Sequence, residues 1–184
     1  DGPKVHEFLH RLNRATFGSH EDVLTVGEMS ATSLEDGVKY ANPLSQELST
    51  IFQFHHLKVD YKDGKKWHHQ DFDFIELKRI LSDWQLASQK EQALVALFLN
   101  NHDQPRSVSR FGNVSEYHYE SATLLASAIH NMRGIVYIYQ GEEIGLPNAE
   151  FNALETFKDI ESLNAYDIID GTHEEKMISL RHHS

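Results

Sequence analysis

The sequence predicts an α/β fold built on parallel strands. Helical and extended patterns alternate along the chain, the signature of strands joined by helical crossovers. The run at 93–99, ALVALFL, is continuously apolar, as suits a strand covered on both faces. The extended runs also share a polar finish: Gly27-Glu28, His55-His56, Asn101-His102-Asp103 and Gln140-Gly141-Glu142-Glu143. Parallel strands place all such ends on one side of the sheet, where β/α barrels and open α/β sheets keep their active sites.

Taken in order, Pro3 can open a helix at its first turn, and Val5, Phe8, Leu12 and Ala15 then recur at helical spacing. DVLTVGEMS is the first extended run. Ser33, with Asp36 three residues on, marks a helix start, and Leu34, Val38 and Ala41 continue one face until NPLSQ breaks it. STIFQFHHL alternates as a strand, with Phe52, Phe54 and His56 on one face. A charged loop turns at Asp63-Gly64. Phe74, Leu77, Leu81 and Trp84 mark a longer helix, and 93–99 is the third strand. Ala122, Leu125, Ile129 and Met132 define another helical face, stopped by Gly134, before the fourth strand IVYIY. After Gly145 the pattern weakens to loop with a short helix or two, one of them around 174–181. No repeat at fixed period accompanies the βα alternation.

The 184 residues suffice for one domain with a sizeable core. Lysine and arginine number 17 against 28 acidic residues, a net charge of −11, which argues against a nucleic-acid partner. The absence of cysteine excludes disulfides and cysteine-based zinc sites. No apolar stretch of transmembrane length occurs, so no membrane partner is expected. DGPKVHEFLHRLNR lacks a signal-peptide pattern, and a cytoplasmic location fits. That start also lacks an initiator methionine. Because four βα units cannot close an eight-unit barrel, the choice lies between an open four-stranded sheet and the second half of a barrel. The missing start favours the half-barrel.

TVGEMS, NNHDQPR and YIYQGEEIG together resemble the α-amylase family of glycoside hydrolases, within it the α-glucosidases acting on short substrates. FQFHHLKVDY followed by GKKW is most similar to the trehalose-6-phosphate-hydrolysing subgroup. The resemblance implies the C-terminal half of a (β/α)8 TIM barrel, parallel strands 5 to 8. It implies a partial catalytic barrel over 1–146 and a loop and short-helix excursion over 147–184. It also implies retaining hydrolysis of a small disaccharide or oligosaccharide, with oligo-1,6-glucosidase or dextran-glucosidase activity as the neighbouring alternative and a non-catalytic sugar-binding relative as a third. The family's nucleophilic aspartate sits in a GFRxD-like pattern on the fourth strand. That pattern is absent here, so the isolated chain is expected to turn over no α-glucoside.

The resemblance assigns roles to particular residues. Glu28 matches the general acid/base, which must lie roughly 5–5.5 Å from the nucleophile and needs a raised pKa. An exposed strand-end glutamate is the ordinary alternative. Asp103 matches the carboxylate that grips sugar hydroxyls and stabilises the oxocarbenium-like state, and His102 donates to a sugar hydroxyl. By residue type alone, Asp103 could instead cap a helix with Pro105 in its first turn. Arg106 matches an arginine that shapes the sugar site by holding a carboxylate. His56 either binds substrate or is a satisfied buried histidine. Lys58 is the candidate cation for a phosphate, against the reading of a solvated lysine. Glu142 and Glu143 are read as structural. Of the 13 histidines, three pairs are adjacent: His55-His56, His68-His69 and His182-His183. No HExxH spacing exists, and neighbours on a strand point to opposite faces, so neither a metal nor a cofactor is expected.

Overall fold

The computed structural model describes residues 2–183. Its helices and strands run α1 (Val5–Ala15), β1 (Val26–Met29), α2 (Leu34–Tyr40), β2 (Thr50–Gln53), α3 (Phe74–Lys90), β3 (Ala96–Leu97), α4 (Ser107–Phe111), α5 (His118–His130), β4 (Ile135–Val136), α6 (Ile160–Ile168) and α7 (His173–His183). Among the described residues no helix is long and apolar enough to cross a membrane. The chain divides into two units, and both are discontinuous in sequence.

The first unit comprises Asp1–Leu57, Phe74–Leu97 and His130–Tyr137, and it holds all four strands. β1 pairs with β2 in parallel, setting Glu28 opposite Phe52. β3 pairs with β4 in parallel, and a parallel bridge between Ile51 and Val95 joins the two pairs. The order is therefore β1-β2-β3-β4 with every strand in the same direction, as the alternation predicts. The third and fourth strands are shorter than the apolar runs that announce them. Pairing persists slightly beyond each ladder, through Ile135 N–H to the Val95 carbonyl (3.0 Å) and Tyr137 N–H to the Leu97 carbonyl (2.9 Å).

The core of this unit is Val38, Tyr40, Ile51, Phe54, Leu57, Leu77, Trp84, Val95 and Leu97. The helix start at Ser33 is as expected, since its hydroxyl accepts the Asp36 N–H at 3.1 Å. Gly134 sits where β4 approaches β3. A methyl group there would lie 2.5 Å from the Val95 carbonyl oxygen and 2.7 Å from Leu97 Cγ. The nearer atom is backbone and cannot swing aside. Gly134→Ala is therefore expected to cost about 1–3 kcal/mol by overpacking, read as a lower thermal midpoint with unchanged far-UV dichroism.

Two sequence expectations are corrected in this unit. The apolar face of α1 is not its covered one: Phe8 is 56% and Leu12 49% exposed. The helix turns polar groups inward instead. His6 Nδ1 meets Glu47 at 2.9 Å, His10 Nδ1 meets the Ser45 carbonyl at 3.0 Å, and Asn13 donates to the Glu47 carbonyl at 3.2 Å. Pro3 lies outside the helix, which starts at Val5. Second, β2 stops at Gln53, and His55–Lys58 form a 3-10 turn. Gln53 causes the break, because its side-chain oxygen accepts the His55 N–H at 2.9 Å and offers the backbone an alternative to the ladder. His56 is thus not on a strand face shared with Phe52 and Phe54.

The second unit comprises Lys58–Asp73, Phe98–Ile129 and Ile138–Ser184. The weakly patterned tail contains two helices, as expected, and α7 spans the expected 174–181. Asp159 caps α6 by accepting the Ser162 N–H at 2.8 Å. A small core of Phe157, Ala165, Ile169, Met177 and Leu180 forms there, with Trp67, Phe151 and Leu154 packed against it. In α5 the predicted face is the less exposed one, with Ile129 buried and Ala122 and Leu125 half-buried.

Candidate active site

β1 carries Glu28 on its exposed alternate positions, so the side chain reaches solvent instead of the core. The chain leaving β3 carries the other candidates. Asn100 is buried, and in the orientation its surroundings dictate its amide nitrogen donates to both Glu142 oxygens at 3.2 Å. Glu142 also accepts the Tyr139 N–H at 3.1 Å, and Glu143 accepts the Gly141 N–H at 2.7 Å. The two glutamates therefore order the turn after the last strand, in keeping with a structural reading.

Asn101 organises the next turn, its side-chain oxygen accepting the Asp103 N–H at 2.8 Å. This turn lifts His102 and Asp103 into solvent, with side chains 72% and 60% exposed and His102 Nε2 3.4 Å from Asp103 Oδ2. Asp103 does not cap a helix, which corrects that alternative: α4 begins at Ser107, with Arg106 in the capping position. The Asp103 carboxylate is thereby left available to a ligand. Arg106 is anchored through its own N–H to Asn148 Oδ1 at 2.7 Å, while its guanidinium donates to the Gln140 carbonyl and lies 4.7 Å from the Tyr139 ring centre. The expected carboxylate partner for Arg106 is not found among the described residues; a carbonyl and an aromatic face take its place. His102, Pro105, Arg106, Tyr139, Asn148 and Arg181 line a cavity of about 170 Å³. Two of the predicted sugar contacts thus share one concave surface.

The other two candidates behave differently. His56 is 2% exposed, and its Nδ1 meets Gln53 Nε2 at 2.8 Å, so it matches the buried, satisfied alternative. Lys58 is exposed at the end of the same turn, and partial burial lowers its ammonium pKa.

One group of residues was not anticipated. Arg110 grips Asp60 through both carboxylate oxygens, Nε to Oδ2 at 2.7 Å and Nη2 to Oδ1 at 2.6 Å, with both side chains buried. Gln104, the residue after Asp103, accepts from Arg110 at 2.9 Å, and His182 Nε2 lies 3.1 Å from Asp60. Burial alone would push the Asp60 carboxyl up. Hydrogen bonds from His182 and Arg110 outweigh it and hold the group well below the usual carboxylate range. This network fixes the far end of the turn that presents His102 and Asp103. No local signal in the sequence marks it, because Asp60, Arg110 and His182 are 50 or more positions apart.

The family model for the α-amylase catalytic domain matches residues 1–177. The chain belongs to the α-amylase family. As an α-amylase-family chain it supplies part of a β/α barrel, the fold to which its four parallel strands and intervening helices correspond. It is 53% identical over 166 residues to the trehalose-6-phosphate hydrolase of Bacillus subtilis strain 168, covering 90% of this chain and 29% of that protein. It is 43% identical over 166 residues to the oligo-1,6-glucosidase of Parageobacillus thermoglucosidasius, covering 90% of this chain and 29% of that protein. Among solved structures, the trehalose-6-phosphate hydrolase of Bacillus licheniformis superposes with a TM-score of 0.93 at 49% identity, covering 100% of this chain and 34% of that one. This α-amylase-family chain therefore spans about a third of the length of the relatives it matches.

Proposed function

We propose that this chain forms strands 5 to 8 of the catalytic barrel of a retaining α-glucosidase that cleaves trehalose 6-phosphate into glucose and glucose 6-phosphate. In this reading, residues 1–146 are the partial barrel and 147–184 the excursion after its last strand. The observation that carries it is the gap in identity, 53% to a trehalose-6-phosphate hydrolase against 43% to an oligo-1,6-glucosidase over equal lengths. The enzyme would be cytoplasmic, where a phosphorylated disaccharide is retained.

Glu28 is the general acid/base: it protonates the departing glycosidic oxygen, then removes a proton from the water that hydrolyses the glycosyl-enzyme. Its exposure on β1 leaves it open to substrate. Asp103 holds sugar hydroxyls and stabilises the positive charge that develops on the ring, supported by a carboxylate free of any capping duty. His102 donates to a hydroxyl, and Arg106 forms a wall of the sugar cavity while bracing the Gln140 carbonyl. His56, buried and bonded to Gln53, holds the turn that ends in Lys58, a role its burial favours over direct contact with substrate.

Lys58 is the phosphate ligand in this reading. A charge-assisted bond to phosphate contributes about 1.5–3 kcal/mol, or roughly one to two orders of magnitude in kcat/KM. In an intact enzyme carrying this chain, Lys58→Ala is expected to lower kcat/KM for trehalose 6-phosphate by that factor and leave a neutral α-glucoside nearly unchanged. Equal loss on both substrates would refute the phosphate role. The 43% identity to an oligo-1,6-glucosidase supports a second reading with a neutral isomalto-oligosaccharide as substrate. A wild-type preference for isomaltose over trehalose 6-phosphate would establish it instead.

A further inference from the structure

His69, His182 and His183 converge within the second unit, each offering one ring nitrogen, and those nitrogens all lie within 4.8 Å of one another. The His69 and His182 ring centres are 3.8 Å apart, and those of His182 and His183 are 4.5 Å apart. His183 is 1% exposed, yet neither of its ring nitrogens has a hydrogen-bond partner among the described residues. Orphaned buried polar atoms of this kind cost about 1–3 kcal/mol each, and nearly all in folded proteins are satisfied.

We propose that His69, His182 and His183 form a binding site for a divalent transition-metal ion of the zinc class, which ties the loop before α3 to the C-terminal helix α7. Imidazole suits such ions, and zinc accepts three protein ligands with a fourth position left to water or an anion. Zn–N bonds of 2.0–2.1 Å would draw the nitrogens to about 3.4 Å apart. The exposed His69 side chain has the freedom to close that distance, while buried His183 provides the fixed point. Asp60 completes the arrangement from behind. Its Oδ2 lies 3.1 Å from His182 Nε2, close enough to orient that ring. A carboxylate that orients a metal-binding histidine is a recurrent support of such sites.

The sequence holds 13 histidines, and the test must separate this cluster from the others. The intact protein carrying this chain is stripped with chelator, titrated with ZnCl2 by calorimetry, and analysed for retained metal after dialysis. His69→Gln is the decisive variant, since an exposed side chain is removed and the fold is left intact, as near-ultraviolet dichroism will verify. One zinc per chain is expected in the wild type, with a higher thermal midpoint than the stripped protein, and affinity at least about tenfold weaker in His69→Gln. Cobalt(II) in place of zinc is expected to give visible absorption typical of a four-coordinate ion, absent in the variant. Failure of the wild type to retain zinc, or equal zinc affinity in His69→Gln, would overturn the proposal.

Discussion

Arg110→Met is expected to cost about 3–5 kcal/mol, because it strands a buried, ionised carboxylate. Asp60 and Arg110 are almost wholly buried and meet through two short hydrogen bonds. Methionine keeps most of the arginine's volume, so the loss reports charge rather than a cavity. Chemical denaturation of the intact protein measures it, and a large part of the population is expected to be unfolded at temperatures the wild type survives. The companion change separates charge from packing: Asp60→Leu added to Arg110→Met removes the stranded charge and is expected to restore much of the loss, since a matched apolar pair often equals a buried ion pair. Arg79 is the control. It contacts Glu76 and Asp83 at the same 2.6 Å, but on an exposed helix face, so Arg79→Ala is expected to change stability little. A wild-type midpoint for Arg110→Met would show that burial had been misjudged as the source of the effect.

The second large effect is chemical. In the intact enzyme, Glu28→Gln is expected to lower kcat for trehalose 6-phosphate by roughly 10²- to 10⁴-fold, the contribution of a positioned general acid. The amide has the same shape and cannot transfer the proton. Glu28 is exposed on its strand, so the fold should be unaffected. A glucoside with an acidic phenol as leaving group needs little protonation, so the glycosylation step on that substrate should suffer much less. Retained hydrolysis of trehalose 6-phosphate, or equal damage to the first step on both substrates, would remove Glu28 from the acid/base role.

What the sequence revealed and what it concealed divide along physical lines. The four parallel strands were legible because alternation, continuous apolar runs and polar strand ends are local patterns, written within a few residues of one another. The Ser33 cap and the Asp63-Gly64 turn were legible for the same reason, and both residues of that turn have positive φ, 53° and 72°. Pattern failed where a side chain competes with the backbone. Gln53 ends β2 by bonding the His55 N–H, which no periodicity announces. It failed again on α1, where histidines bound to Glu47 and Ser45 decide which face turns inward. At the candidate site, Glu28, His102 and Asp103 could be picked out because a motif surrounds them. Asp60, Arg110 and His182 could not, since each looks ordinary until the fold brings them together. The paired histidines were visible, but the meeting of His69 with His182 and His183 spans more than a hundred positions and has no local trace.

The strand order β1-β2-β3-β4 has two ends. Among the described residues β1 and β4 each pair with one neighbour strand only, so the sheet offers hydrogen-bonding valence at both margins, polarised in the same direction because every strand is parallel. A closed ring has no such margins. A sheet with parallel margins is completed by other parallel strands of matching twist, as the remaining strands of a β/α barrel supply. Closure then acts as quality control on assembly: the partner that satisfies both margins at once ends the process, whereas one that satisfies a single margin leaves another exposed.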